Sequence, residues 1–130
     1  MRPSASEYAL VATGGGAGVL VRYVLILAFR VAPAATIFWI NTAGSFLLGL
    51  LLALATAVPT GRGRKLRLLL GTGFLGGFTT YSALAVGSIE APSPALGIIC
   101  GTGTVAIGIL AALVGSAVGA WLTTTWTEES

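Results

Sequence analysis

Gly71-Thr72-Gly73-Phe74-Leu75-Gly76-Gly77-Phe78-Thr79-Thr80-Tyr81-Ser82 lies inside a hydrophobic segment long enough to cross a membrane. The stretch holds four glycines and four serine or threonine hydroxyls. Glycine weakens a helix and lets neighbouring backbones approach closely. Carbonyls freed from a helix cannot face lipid; they must be buried in protein, line a cavity or hold an ion. Transport proteins build ion sites at helix breaks of this kind in mid-membrane. The stretch therefore predicts interrupted helix geometry between Gly73 and Thr80, and a membrane protein concerned with transport.

Composition agrees. Of 130 residues, 55% are hydrophobic and only 8% charged, with a mean hydropathy of +0.95. A soluble domain carries about 25% charged residues. A membrane-spanning helix needs about 20 apolar residues, and the chain divides into four such segments, Tyr8–Phe29, Ala35–Val58, Leu66–Ile89 and Ala95–Thr123. The links Arg30–Ala34, Pro59–Lys65 and Glu90–Pro94 are short. These features predict an all-α membrane protein, a single four-helix transmembrane domain over residues 1–130 with its third helix broken near the middle. Continuous apolar runs, without alternation, exclude a β-barrel. Four spans alone enclose a pore poorly, which favours an oligomer.

Arg2, the apolar run and Ala32-Pro33-Ala34 together resemble a cleaved leader, but the run is too long for one and Arg22 interrupts it, so the first helix is read as retained. The single cysteine, Cys100, forms no intramolecular disulfide and is read as a small packing residue. There is no histidine and no cluster of carboxylates, which removes most metal-hydrolase and general acid/base chemistry. The net charge of +3 reflects the loops of a membrane protein; no nucleic-acid partner is expected.

Each span has its own polar or small-residue signature. In the first, Gly14 and Gly18 form a pair suited to close helix packing. Arg22, inside the end of that span, either snorkels to the interface or lines an aqueous vestibule, where it would concentrate anions. In the second, Asn41 and Ser45 are one turn apart and share a face with Gly44. An asparagine at that depth either bonds another helix or offers its NH₂ group to a passing anion. In the third, Phe78 and Tyr81 are either core aromatics or donors of a positive ring edge. In the fourth, Gly97, Gly101, Thr104, Gly108, Ala111, Gly115 and Gly119 make a continuous small seam, which close packing explains.

Taken in order, Gly14-Gly15-Gly16-Ala17-Gly18 with Arg22-Tyr23, Asn41 through Gly44-Ser45-Phe46 to Gly49, and Gly73 through Ser82 resemble the Fluc/CrcB family of fluoride channels over essentially the whole chain. The resemblance implies a four-helix subunit pairing as an antiparallel dimer, with two fluoride pores and a structural Na⁺ at the dimer centre. It places the Na⁺ on the backbone carbonyls of Gly76 and Thr79 and, together with the polar and aromatic residues read above, gives an ion pathway along Asn41, Tyr81, Ser82, Phe78, Thr104 and Arg22. It implies passive fluoride export across the bacterial plasma membrane. Here the family's Thr-Thr-Phe-Ser-Thr-Phe run reads Thr79-Thr80-Tyr81-Ser82-Ala83-Leu84. Where the family often has a tyrosine and serines one turn apart in the fourth span, this chain has Cys100, Thr104 and Gly108.

Basic residues are also lopsided. Arg2, Arg62, Arg64, Lys65 and Arg67 fall on one side of four alternating spans, and Arg30 alone in the loops of the other. That bias predicts cytoplasmic N- and C-termini. A subunit fixed in one orientation would need a different, oppositely oriented homologue as antiparallel partner; a second copy of the same chain is the other option. Two further readings are a non-conducting structural subunit and a small multidrug-type exporter. The latter needs a carboxylate in the membrane, and Glu7, Glu90, Glu128 and Glu129 all lie at span ends or in the tail.

Overall fold

A computed structural model describes residues 4–30, 33–58 and 60–128. Arg2, Ala32, Pro59 and Glu129, which entered the sequence reading, lie outside them. All regular structure among the described residues is helical: α1 (Ala5–Ala28), α2 (Pro33–Thr56), α3 (Thr60–Leu66), a π-helical segment (Arg67–Leu75), α4 (Gly76–Phe78), α5 (Tyr81–Ile89) and α6 (Pro94–Glu128). From α3 to α5 the chain is one interrupted span. Four stretches are long and apolar enough to cross a membrane, Ala5–Ala28, Ala34–Thr56, Thr60–Ile89 and Pro94–Thr125. The third span starts at Thr60, so Arg62, Arg64 and Lys65 sit on its first helical turns and not on a loop.

α1 begins with a reciprocal cap. Ser4 Oγ accepts from Glu7 N–H while the Glu7 carboxylate accepts from Ser4 N–H. This satisfies donors that a helix N-terminus otherwise leaves open. The other oxygen of Glu7 meets Arg64 Nε at 2.8 Å, tying the start of α1 to the start of the third span. Those two ends therefore share one side of the molecule.

The four spans assemble as two pairs, first with third and second with fourth. Contacts advance in the same direction along both members of each pair, so each is parallel. The first pair meets through glycine on both sides. A Cβ on Gly14 or Gly18 would fall on the carbonyl of Leu69 or Phe74, and one on Gly73 or Gly77 would crowd the carbonyl of Val11 or Gly15. Backbone lies on backbone, the arrangement that small residues four apart permit in lipid. The second pair repeats the device: Gly49 lies against Ala112, Gly115 against Phe46, and Gly119 against Leu50 and Ala53. A small core of Ile40, Leu75 and Phe78, flanked by Leu25, Ile26, Leu51 and Phe74, joins the two pairs.

Candidate functional site

The third span changes character twice. Over Arg67–Leu75 it widens into π geometry, and Gly76 N–H closes that segment on the carbonyls of Gly71 and Gly73. After α4 the backbone leaves the helix at two extended residues, Thr79 (φ −75°, ψ 160°) and Thr80 (φ −148°, ψ 115°). The break thus falls at the far end of the window marked by glycines.

Side chains hold this break open. Thr80 N–H, which in a continuous helix would reach the Gly76 carbonyl, donates instead to Asn41 Oδ1 at 2.8 Å. Asn41 Nδ2 donates back to the Thr80 carbonyl at 3.1 Å. The Asn41 amide therefore pairs with one residue's N–H and C=O together, as a neighbouring β-strand would. Ala83 N–H, the helical donor for the Thr79 carbonyl, goes to Thr80 Oγ1 at 3.2 Å, which caps α5. The carbonyls of Gly76 and Thr79 are thereby both released from their helical donors. Thr79 Oγ1 and Thr79 N–H both return to the Leu75 carbonyl, at 2.9 and 3.0 Å, closing α4 behind the break.

Beside the break runs a groove of about 420 Å³ whose lining includes Asn41, Ser45, Gly76, Thr79, Thr80, Tyr81, Leu84 and Thr104. No charged residue lines it. A second groove of about 820 Å³, between α5 and α6, shares Tyr81, Leu84, Val105 and Ile109 with the first, so the two adjoin. The residues singled out in the sequence separate here. Asn41, Gly76, Thr79, Tyr81 and Thr104 come together in the groove. Ser82 is exposed beside it, its hydroxyl 3.3 Å from Thr80 Oγ1. Phe78 lies elsewhere: it is buried, stacks on Phe74 at 5.8 Å, and borders a separate apolar pocket with Leu25, Phe29, Trp39 and Ile40. Arg22 is half-buried on α1 and lines none of these cavities.

The groove residues differ in what they can still donate. Thr104 Oγ1 gives its proton to the Cys100 carbonyl at 2.7 Å and Thr79 Oγ1 gives its own to Leu75. Among the described residues, the side-chain groove donors with no recorded acceptor include the second Nδ2 hydrogen of Asn41 and the hydroxyls of Ser45 and Tyr81. Tyr81 is 80% exposed. Ser45 is the residue the sequence reading did not place in the pathway; its position one turn from Asn41 was the available signal. Neutral donors along a narrow path can replace an anion's water without trapping it, which a fixed positive charge would do.

Comparison with known proteins accords with this architecture. Residues 9–121 match the model of the family described as CrcB-like protein, Camphor Resistance (CrcB). A protein of Leifsonia xyli named Fluoride-specific ion channel FluC 2 is 46% identical over 118 residues, covering 85% of this chain and 81% of its own. Fluoride-specific ion channel FluC of Methanopyrus kandleri is 38% identical over 118 residues, covering 87% and 88%. Fluoride-specific ion channel FluC 1 of Natronomonas pharaonis is 40% identical over 126 residues, covering 93% and 98%. With the family model matched over almost all of its spans, and relatives matched along most of both lengths, the chain belongs to the CrcB family.

Proposed function

We propose that this chain is a subunit of a fluoride-specific channel that lowers cytoplasmic fluoride by passive export across the cell membrane. Membership of the family makes it a transport protein and not an enzyme. The observation that carries the reading is the uncharged groove beside the break, with Asn41, Ser45 and Tyr81 presenting donors no internal acceptor uses. Relatives named as fluoride-specific channels match this chain along most of their lengths.

In this reading fluoride sheds water against the Asn41 amide and the Ser45 and Tyr81 hydroxyls. Tyr81 stands where the family has a phenylalanine, and adds a hydroxyl to the ring. Leu84, also in the groove, offers no ring edge. Phe78 contributes by packing, and Arg22 acts at a distance from the groove, if at a pore mouth then through its field.

A structural Na⁺ at the Gly76 and Thr79 carbonyls fits the residues present. Both oxygens are released from helical donors, both residues are uncharged, and Gly76 is exposed. Unwound carbonyls are the ligands membrane proteins use for such ions. When bound, the ion supplies positive charge against the carbonyl dipoles at the break. An exposed carbonyl without a donor costs several kcal/mol in lipid (order of magnitude), so the same feature supports a second subunit covering the groove; that it lies antiparallel is what the family resemblance implies. The cluster Arg62, Arg64, Lys65 and Arg67 on the side where α1 starts supports cytoplasmic termini and a partner that is a different, oppositely oriented homologue.

Fluoride efflux from liposomes reconstituted with this chain, alone and with a co-expressed homologue, tests the proposal. Fluoride release that requires the homologue supports the heteromeric form, and release from the chain alone supports a pair of identical subunits. No release in either preparation, with the protein correctly inserted, refutes the channel.

A further inference from the structure

We infer that Asn41 and Thr80 are positioning residues for the cation at the break, and that Asn41 sets the cation affinity and orients a groove donor through one and the same clamp. The inference rests on the cation reading above and concerns what creates the site rather than what occupies it.

A carbonyl inside a helix already has an N–H within reach, and an ion must compete with it. Gly76 and Thr79 are available only because Thr80 N–H is held by Asn41 Oδ1 and Ala83 N–H by Thr80 Oγ1. Neither glycine nor strain does this. No described residue has positive φ, and Gly76 itself is helical at φ −63°, ψ −36°. Without the two side-chain acceptors, Thr80 N–H and Ala83 N–H have their nearest acceptors in the helical ladder, and the carbonyls of Gly76 and Thr79 return to it. Thr80 is buried at 7% exposure, and leaving its N–H without an acceptor there carries a desolvation cost.

The clamp also fixes the amide. Oδ1 must face the Thr80 N–H and Nδ2 the Thr80 carbonyl, since the flipped amide would set donor against donor and acceptor against acceptor. The remaining Nδ2 hydrogen then has one orientation, on a residue that lines the groove. One side chain thus links cation site and anion path, and whatever stabilises the unwound break stabilises the oriented donor. By linkage, Na⁺ bound at the break holds the clamp closed.

The test separates positioning from pathway. Na⁺-dependent thermal stabilisation is measured on the purified full chain in lipid nanodiscs, at constant ionic strength with N-methyl-D-glucamine as replacement, alongside fluoride efflux. Asn41→Leu has similar bulk and no acceptor; it should raise the half-saturating Na⁺ concentration at least tenfold. Asn41→Asp keeps an acceptor for Thr80 N–H but sets its second oxygen against the Thr80 carbonyl; it should need less Na⁺ for half-saturation than Asn41→Leu while losing fluoride efflux. Thr80→Val should raise the Na⁺ requirement at least tenfold and Thr80→Ser should restore it, which decides the matter if Asn41→Leu does not fold. Parental half-saturation in both Asn41→Leu and Thr80→Val overturns the positioning role while leaving the cation reading standing. A parent chain that Na⁺ does not stabilise overturns both, and fluoride efflux measured on that same parent shows whether the channel reading survives.

Discussion

Within Gly14-Gly15-Gly16-Ala17-Gly18, alanine substitutions should act with opposite signs half a turn apart. A Cβ on Gly18 would land on the Phe74 carbonyl oxygen and 2.8 Å from Phe78 N. Both are backbone atoms of the third span, so no side chain can rotate out of the way. Ordinary contact begins at 3.4 Å, and the helices must part locally by about 1 Å, a gap that forfeits roughly a quarter to a half of each dispersion contact across it. Overpacking costs about 1–3 kcal/mol, and a clash with backbone belongs at the upper end. The helix-propensity gain of Gly→Ala returns about 1 kcal/mol. Gly18→Ala should therefore destabilise by about 2 kcal/mol, a loss of roughly 6–10 °C in Tm for a domain of this size. Gly16 has nothing within 4 Å of the corresponding position. Gly16→Ala should keep the propensity gain of about 1 kcal/mol and raise Tm by roughly 3–5 °C.

Thermal unfolding in detergent, followed by the monodisperse fraction on size exclusion after heating, reads both variants. Equal stability of Gly18→Ala and the parent would refute the backbone-on-backbone contact between α1 and the third span. A Gly16→Ala as damaged as Gly18→Ala would place the essential close approach on a partner subunit rather than inside this one.

Asn41→Asp should abolish fluoride efflux from proteoliposomes with normal assembly, because it sets a carboxylate among the groove donors; undiminished efflux removes Asn41 from the pathway. The Glu7–Arg64 pair, with side-chain exposures of 18% and 53%, is screened, so Glu7→Gln, which can still close the cap, should cost under about 1 kcal/mol. Glu7→Ala loses the pair and the bond from Ser4 N–H to the carboxylate, while Ser4 Oγ keeps the backbone N–H of residue 7, and should cost about 1 kcal/mol; equal melting of the two variants in low salt would show that the bond from Ser4 N–H contributes nothing. Single cysteines placed between Arg62 and Lys65, in a Cys100→Ala background, should react with an impermeant reagent from the cytoplasmic side only. Labelling from both sides would mean dual insertion and return the assembly to identical subunits.

The four spans were legible because lipid tolerates almost no charge, and charged residues here fall at or near span ends. The break was legible too: interruption was expected between Gly73 and Thr80, and the backbone departs at Thr79 and Thr80, the end of that window beyond the glycines. The reason is that Gly73 and Gly77 serve packing against Val11 and Gly15, and a glycine that packs can remain helical. What opens the helix is acceptor chemistry. Thr80 is an N-cap, a local signal readable three residues ahead of Ala83. Asn41 acts from 39 residues away, which no local pattern reports.

Phe78 shows the opposite limit. Around a helix in lipid, the face toward a neighbour and the face toward the bilayer are equally apolar, so periodicity cannot say which aromatic packs and which is open. Phe78 and Tyr81 lie one turn apart across the break, yet one is buried in the core and the other is 80% exposed. The two extended residues between them rotate α5 relative to α4, and that rotation decides which ring meets the groove. Polar groups escape this ambiguity because each must be satisfied somewhere. In this chain the assignment of function follows the unsatisfied ones: two carbonyls without their helical donors, and an amide whose remaining hydrogen is held in one direction by the break it maintains.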